Sequence, residues 1–190
     1  MSNYSGMVKE RFDETSRNFA ELTAQVEDIA KVALLIAERM AKGGIVMFCG
    51  NGGSAADAQH LAAELQGRFI FDRRPLAAAA LTTNTSTLTA IGNDYGFDQV
   101  FDRQVIGLGR PDDVVIGLST SGNSSNVIRA FKAARDMGIL TVGLTGRQGG
   151  KMSEISDICL KVPSDHTARI QEMHIAIGHA LCEILEKELM

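Results

Sequence analysis

Hydrophobic residues recur at spacings of three, four or seven through the first part of the chain. Between residues 5 and 41 the recurring positions are Val8, Phe12, Phe19, Leu22, Val26, Ile29, Val32 and Ile36. This periodicity predicts one helix or a helical pair, and Gly43 and Gly44 are typical of its C-terminal end. The apolar surface exceeds what a small domain needs. We therefore interpret residues 1–43 as a helical segment that packs against another subunit, with packing on its own core as the alternative.

After residue 44, short continuous apolar runs alternate with helical stretches. The runs are IVMFCG (45–50), LAAAAL (76–81), VVIGLS (114–119), LTVGLT (140–145) and ICLKV (158–162). Runs of this length are typical of strands buried on both faces of a parallel sheet. Residues 44–190 are therefore predicted to form a doubly wound α/β domain, with a five-stranded parallel sheet flanked by helices. A last helix is predicted from about residue 166 to residue 189.

Composition and charge exclude several classes of function. The 190 residues are 45% hydrophobic and 22% charged, with a net charge of −4, so no basic surface for nucleic acid is expected. Cys49, Cys159 and Cys182 are far apart, which argues against a disulfide framework or a thiolate zinc site. The polar N-terminus has no apolar signal region, and no apolar run approaches the length of a membrane span. We expect a cytoplasmic protein with reduced thiols.

A hydroxyl-rich loop, TSGNSSN (120–126), follows the run VVIGLS and precedes a helix predicted over Val127–Met137. The hydroxyl groups belong to Ser119, Thr120, Ser121 and Ser124. Loops at the carboxyl ends of parallel strands bind ligands, and the N-terminus of a helix favours phosphate. The alternative is an ordinary helix cap. Four hydroxyls in six residues are more than a cap requires, so the loop predicts a phosphate site.

A glycine-rich loop, GNGGS (50–54), follows the run IVMFCG and precedes another helix. It matches neither the P-loop nor the dinucleotide-binding fingerprint, and no lysine follows its glycines. Because it follows a strand of the same predicted sheet as the hydroxyl-rich loop, a small polar ligand is expected to lie across both.

The segment GNDYG (92–96) is predicted to be a third loop, because Asn, Asp and Gly favour turns. Glycine at both ends would leave Asn93 and Asp94 free to face the hydroxyl groups of a ligand. An ordinary turn without function is the alternative.

The stretch QHLAAEL (59–65) places His60 and Glu64 four residues apart on an Ala- and Leu-rich helix. Side chains at this spacing share one helical face. They are either a hydrogen-bonded pair in the core, a surface pair, or half of a reactive site, and the spacing leaves all three open.

Five stretches together resemble a known family. They are CGNGGSAADAQHLAAEL, AIGNDYGF, STSGNSSNVIRA, LTGRQGGKM and ARIQEMHIAIGHALCEIL. They resemble the phosphoheptose isomerases, the GmhA family of the sugar isomerase (SIS) domain superfamily. The resemblance covers nearly the whole chain from about residue 42. It implies a flavodoxin-like SIS domain over residues 44–190, with residues 1–43 used in oligomerisation.

The resemblance also implies an activity and an assembly. The family converts D-sedoheptulose 7-phosphate to D-glycero-D-manno-heptose 7-phosphate, the first step of bacterial ADP- and GDP-heptose biosynthesis for surface polysaccharides. Its members are homotetramers with active sites at subunit interfaces, and many hold zinc. The expected partners are therefore a sugar phosphate, one zinc ion per subunit and further copies of the chain, without nucleic acid or membrane.

Site residues follow from the resemblance. Sugar contacts are implied for Asn51, Gly52, Gly53, Asn93 and Asp94, and phosphate contacts for Ser119, Thr120, Ser121 and Ser124. A cluster for metal binding and acid–base chemistry is implied for His60, Glu64, Gln171 and His179, with Glu64 and Gln171 also near the substrate. Within this cluster Glu64 is expected to act as the base and His179 as its acid–base partner in an enediol proton transfer.

Gln171 is the member of this cluster that spacing does not favour. On an ideal helix it differs from His179 by roughly 80° in direction. Glu172 is better aligned with His179, and His174 is close to Gln171. A glutamine oxygen is also a weak zinc ligand, so the metal is expected to be labile.

Two other functions remain as alternatives. A non-catalytic SIS-fold regulator that binds the replication initiator DnaA shares some of these stretches. It lacks the acid that matches Glu64 and the imidazole that matches His179, and this chain has both. A sugar-phosphate sensor with a DNA-binding head is not expected in 190 residues of net charge −4.

Overall fold

The N-terminal part of the chain is helical, as predicted. The structure, a computed structural model, describes residues 4–190. Helix α1 covers Tyr4–Leu22, a 3-10 turn covers Thr23–Gln25, and helix α2 covers Val26–Ala41. Helix α2 lies in the same apolar core as the sheet, whereas α1 exposes large apolar side chains, namely Tyr4, Met7, Val8 and Phe12. The use of residues 1–43 in oligomerisation stays a prediction.

The sheet has five parallel strands in the order β2-β1-β3-β4-β5. Their bounds are β1 Val46–Gly50, β2 Ala78–Ala80, β3 Val114–Ser119, β4 Leu140–Thr145 and β5 Ile158–Lys161. All five predicted strands are therefore confirmed, although β2 at the edge is shorter than its apolar run. This strand order is that of flavodoxin-like doubly wound folds, in which ligands bind at the switch point between β1 and β3.

Helices cover both faces of the sheet. Beyond α2 they are α3 Gly53–Gln66, α4 Thr85–Tyr95, α5 Asp102–Leu108, α6 Ser125–Asp136, α7 Met152–Ile155 and α8 Thr167–Leu189, with a 3-10 turn at Phe97–Gln99. Phe48 and Ile116 face the core formed with α2, α3 and α8, and Met47 and Val115 face the one formed with α5, α6 and α7. Burial on both faces explains the continuous apolar runs. Within residues 4–190 none of the helices has the length and apolar character needed to span a membrane.

Residues 92–96 do not form the predicted loop, and that prediction is wrong. Helix α4 continues through Tyr95, and only Gly96, with φ of +91°, leaves the helical conformation. The helix begins at a strong cap, since the Asn84 side chain accepts a hydrogen bond from the Thr87 amide at 3.0 Å. Its apolar face packs on the core through Leu88 and Ile91. Capping and burial therefore outweigh the turn preference of Asn93 and Asp94.

Helices α3 and α8 approach each other closely at Gly178. A Cβ atom at this position would lie 2.4 Å from Leu61 Cδ2, well inside the contact distance of two carbon atoms. A larger residue at position 178 would therefore require the Leu61 side chain to move, and glycine allows the two helices to pack at this separation without that movement. The neighbours of this pair, His60 on α3 and His179 on α8, are consequently brought side by side.

His174 is a fully buried histidine on α8. Burial lowers its pKa to about 4, and the backbone of Thr145 offsets this only in part. Within residues 4–190 neither ring nitrogen makes a regular hydrogen bond. The ring is therefore held neutral in the folded protein.

This burial predicts a loss of stability in mild acid. Because the pKa of His174 is lowered on folding, the unfolded chain binds a proton first as the pH falls below about 6.5. The free energy of unfolding should decrease by about 2 kcal/mol between pH 7 and pH 5 through this group alone. Denaturant unfolding of the parent and of His174→Leu at both pH values measures the difference. The exposed His166, changed to Gln, is the control, and equal pH dependence in the parent and His174→Leu would contradict the prediction.

Candidate active site

The loops that follow β1 and β3 meet at the carboxyl edge of the sheet, as predicted. Asn51 and Asn126 form a reciprocal amide pair across this edge, in which each Nδ2 donates to the other Oδ1 at 2.9 Å. The Asn126 Oδ1 atom also accepts from the Val127 amide at 2.9 Å, inside the first turn of α6. The glycine-rich loop is therefore fixed to the start of the helix that follows the hydroxyl-rich loop.

The hydroxyl-rich loop leaves the N-terminus of α6 open. Ser124 occupies the cap position, but its hydroxyl pairs with Ser119 Oγ at 2.8 Å, and within residues 4–190 it makes no cap hydrogen bond. The hydroxyl of Ser121 is exposed and accepts from the Asn123 amide at 3.1 Å. Because these hydroxyls do not cap the helix, the amides of Ser125 and Asn126 can receive an anion, whereas the Val127 amide already donates to Asn126 Oδ1.

Gly122 allows a second loop to support the hydroxyl-rich loop. Its φ is +65°, and a Cβ atom on it would lie 2.0 Å from the Gly149 carbonyl oxygen. Its own carbonyl accepts a hydrogen bond from the Met152 amide at 2.9 Å. The segment after β4 thus packs directly on the backbone of the hydroxyl-rich loop and fixes its shape.

His60, Glu64 and His179 form a cluster at the surface between α3 and α8. His60 Nε2 lies 3.0 Å from Glu64 Oε1 and 3.2 Å from His179 Nε2, and suitable ligand atoms of the three residues lie within 4.8 Å of one another. The side chains of His60 and Glu64 are 48% and 26% exposed. They are therefore not a pair sealed in the core, and the third group on α8 favours a reactive site.

The cluster fits a transition-metal ion. Tetrahedral zinc with bonds of about 2.0–2.2 Å places neighbouring ligand atoms about 3.3 Å apart, close to the two short separations of His60. The donor and acceptor roles of the facing nitrogens of His60 and His179 depend on the tautomer. In the tautomers that leave a lone pair on both nitrogens, the two imidazoles and the Glu64 carboxylate can bind one cation.

Gln171 reaches the other end of the same helix pair. A Cβ atom on Gly53 would lie 2.5 Å from Gln171 Nε2, so the carboxamide lies against the start of α3 beside the glycine-rich loop. Glu172 instead turns towards α1, where it accepts from Thr15 Oγ1 at 3.0 Å, and His174 is buried. The alternatives that spacing favoured thus point away, and metal ligation by Gln171 stays a prediction.

Asn93 and Asp94 are exposed at the end of α4, where Asn93 Nδ2 donates to Asp94 Oδ1 at 2.7 Å. The following turn is joined to the start of α6, since Ser125 Oγ donates to Asp98 Oδ1. Contacts of Asn93, Asp94, Gly52 and Gly53 with a sugar stay predictions.

Asp57 is a titratable group that the sequence analysis missed. It lies on α3 one turn before His60, and within residues 4–190 its buried Oδ2 has no hydrogen-bond partner. Burial raises the pKa of this carboxyl group, while His60 and His179 act in the opposite direction. The spacing of Asp57, His60 and Glu64 by three and four residues was the signal that could have revealed it.

Comparisons with known proteins agree with this architecture. The SIS domain family matches residues 11–146. The phosphoheptose isomerase of Rhodospirillum rubrum is 61% identical over 161 residues, which are 85% of this chain and 86% of that protein. The structure of phosphoheptose isomerase GmhA from Neisseria gonorrhoeae has a TM-score of 0.92 at 48% identity, covering 97% of this chain and 100% of that chain. The phosphoheptose isomerase structure from Francisella tularensis has a TM-score of 0.94 at 38% identity, covering 98% and 100%.

The cluster geometry predicts stoichiometric binding of Zn²⁺ by protein stripped with a chelator. His60→Ala should weaken the affinity for Zn²⁺ by at least about 10-fold. Loss of a residue that only hydrogen-bonds to a metal ligand already costs about that much, and loss of the ligand itself should cost no less. Competition with a fluorescent zinc indicator measures the dissociation constants. His166→Ala, which removes an exposed imidazole outside the cluster, should leave the affinity unchanged. Equal affinities of the parent and His60→Ala would exclude the cluster as the binding site.

Proposed function

The chain belongs to the phosphoheptose isomerases of the SIS domain family, and on that basis we propose that it converts D-sedoheptulose 7-phosphate to D-glycero-D-manno-heptose 7-phosphate. This is the first step of bacterial ADP- and GDP-heptose biosynthesis. The observation that supports this function most directly is that Glu64 and His179, from two different helices, lie close together. They lie on one side of the carboxyl edge of the sheet, where the N-terminus of α6 has no side-chain cap. The alternative of a regulator that binds DnaA has no support among these relatives.

The substrate phosphate binds at the hydroxyl-rich loop. Its ligands are the hydroxyls of Ser119, Thr120, Ser121 and Ser124 and the first amides of α6. The sugar then extends past Asn51, Gly52 and Gly53 along α3, with Asn93, Asp94 and Gln171 as further contacts. His60 lies seven residues beyond Gly53, about 10 Å along the helix. An extended chain from C1 to phosphorus of a heptose 7-phosphate has a similar length, about 10 Å at roughly 1.2 Å per bond.

Glu64 and His179 transfer the protons. Glu64 removes a proton from C1 of the ketose, next to the C2 carbonyl, and the carbon acid becomes an enediol. Return of a proton to C2 gives the aldose, while His179 exchanges protons with the O1 and O2 oxygens. Acid–base catalysis of this kind contributes about 10²–10⁴-fold to the rate. Glu64 Oε1 faces His60 at 3.0 Å, which leaves Oε2 as the oxygen for the substrate proton.

One zinc ion per subunit would be held by His60, Glu64 and His179. Gln171 would join them as the fourth ligand only after its carboxamide leaves the start of α3, where it lies against Gly53. When bound, such an ion acts as a Lewis acid on carbonyl and hydroxyl oxygens. The histidines and the carboxylate are ligands that zinc prefers, whereas a glutamine oxygen is a weak one. The ion is accordingly expected to be labile and to leave during purification.

We propose a homotetramer in which the active sites lie at subunit interfaces. The support is apolar surface that the single chain leaves exposed, on α1 and also at Ile106 and Leu108. Faces of this kind mark protein interfaces. His60 is half-exposed, so a neighbouring subunit can cover the cluster and exclude water from it. The free thiols of Cys49, Cys159 and Cys182 support the cytoplasm as the compartment.

Incubation with sedoheptulose 7-phosphate tests the activity directly. Proton NMR should show the anomeric signal of an aldose growing with time and with enzyme concentration. Absence of that signal after incubation with metal-loaded protein would contradict the proposed reaction.

Glu64→Gln should abolish turnover, because the amide cannot accept the carbon-bound proton. The expected loss in kcat is about 10²–10⁴-fold, with sugar-phosphate binding nearly intact. Initial rates and isothermal titration calorimetry measure the two quantities. Glu38→Gln, at an exposed glutamate on α2, is the matched control. Turnover of Glu64→Gln within a few-fold of the parent would rule Glu64 out as the base.

Ser121→Ala combined with Ser124→Ala should raise KM, since two hydroxyl donors to a charged phosphate are lost. The expected rise is about 10-fold or more, while kcat changes less. Steady-state kinetics give both constants, and Ser86→Ala, at an exposed serine on α4, is the control. An unchanged KM would remove the hydroxyl-rich loop from the site.

A further inference from the structure

A buried carboxylate on α8 organises the loop that follows α3. Glu186 is completely buried and accepts backbone hydrogen bonds from Phe69 at 2.7 Å, Ile70 at 2.8 Å and Phe71 at 3.3 Å. Three successive amides that converge on one anion form a nest. Burial alone would raise the pKa of Glu186, but these amides and Arg73 outweigh it and lower the pKa. Glu186 is therefore charged and fixes the backbone of residues 69–71.

Arg73 connects the same carboxylate to the end of α3. Its Nε lies 2.9 Å from Glu186 Oε1, and both side chains are almost fully buried. Its Nη2 donates to the Glu64 carbonyl and its Nη1 to the Leu65 carbonyl, each at 2.9 Å. These carbonyls belong to the last turn of α3, where a cation is favourable. One ion pair thus holds the loop, the end of α3 and α8 together.

The result of this anchoring is that the Phe69 ring lies on His179. The ring centroids are 5.4 Å apart and the planes differ by 25°, which is a stacked pair. His60 also approaches His179, with centroids 5.0 Å apart but a tilt of 54°. Glu186 and His179 are seven residues apart on α8, so they face nearly the same direction. The helix therefore carries both the imidazole and the group that places an aromatic ring on it.

We propose that Phe69, held by Glu186, is a positioning residue for His179. The stacked ring restricts rotation of the imidazole about its last torsion, which is otherwise broad. His179 Nε2 consequently stays directed at His60 and Glu64. The proposal rests on the proposed isomerase function, because the restriction matters for proton transfer by His179.

The role of Phe69 predicts a specific kinetic pattern. The hydroxyl-rich loop, where the substrate phosphate is proposed to bind, lies between β3 and α6 and does not include residue 69. Loss of the Phe69 ring should therefore lower kcat without changing KM. The expected loss is about 3- to 10-fold, the range set by the strength of aromatic pairing. If Phe69 only filled space beside the core, its replacement would change the thermal stability but would not lower kcat at a constant KM.

The experiment compares Phe69→Leu with Phe69→Tyr and Phe71→Leu. Tyr keeps the stacked ring and should restore kcat to within 2-fold of the parent. Phe71→Leu makes the same replacement in the same loop at a more exposed ring, and should leave kcat unchanged. Proton–carbon NMR of histidine-labelled protein adds a geometric readout, because the Phe69 ring current displaces the His179 signals, which His179→Asn identifies. Phe69→Leu should move these signals towards the positions of an unstacked imidazole.

The outcomes separate this proposal from the isomerase function. If the parent protein forms no aldose, the proposed isomerase function is wrong. If the parent is active and Phe69→Leu has the same kcat as the parent, the positioning role of Phe69 is wrong. Equal losses in Phe69→Leu and Phe71→Leu, or no rescue by Tyr, also overturn it. Should Phe69→Leu be unfolded at the assay temperature, Phe69→Met takes its place under the same criteria.

Discussion

The close packing of α3 on α8 is the constraint that brings His60, Glu64 and His179 together in the proposed active site. The two helices approach closely where Leu61 packs on Gly178, and again where the Gln171 side chain packs on Gly53. The helices therefore run side by side in the same direction, away from the carboxyl edge of the sheet. Side chains of one helix meet those of the other all along this line, from the glycine-rich loop to the histidine cluster.

Much of the fold could be predicted from the sequence, because buried strands and helices have characteristic patterns of apolar residues. The central strands read as uninterrupted apolar runs since both of their faces are covered, and α2 shows its apolar face at helical spacing. The prediction was weakest where two local preferences compete. Strand β2 at the edge keeps only three paired residues of its run, and Asn93 and Asp94 lie in a helix that begins at the Asn84 cap.

The site was less accessible to sequence reasoning, for a physical reason. The pairing of His60 with Glu64 lies within one helix and appears as a spacing of four residues. The contact of His60 with His179 spans 119 positions, which no periodicity records, and only the resemblance to a family indicated it. The same holds for Glu186 and the amides of residues 69–71, because a nest depends on backbone geometry and not on side-chain type. Asp57 was readable in principle, as a third polar residue on the face of α3 that carries His60.

The reciprocal amide pair of Asn51 and Asn126 has a consequence for the lifetime of the protein. Asn51 precedes Gly52, and the unhindered glycine nitrogen makes such a dipeptide the most susceptible to spontaneous deamidation. Conversion of Asn51 to a carboxylate would remove its Nδ2 donor and leave an oxygen facing Asn126 Oδ1, so two acceptors would repel each other where a hydrogen bond had been. Chemical ageing at a single peptide unit would thus weaken the link between the glycine-rich loop and α6, leaving only the hydrogen bond from Asn126 Nδ2 to the other oxygen of residue 51.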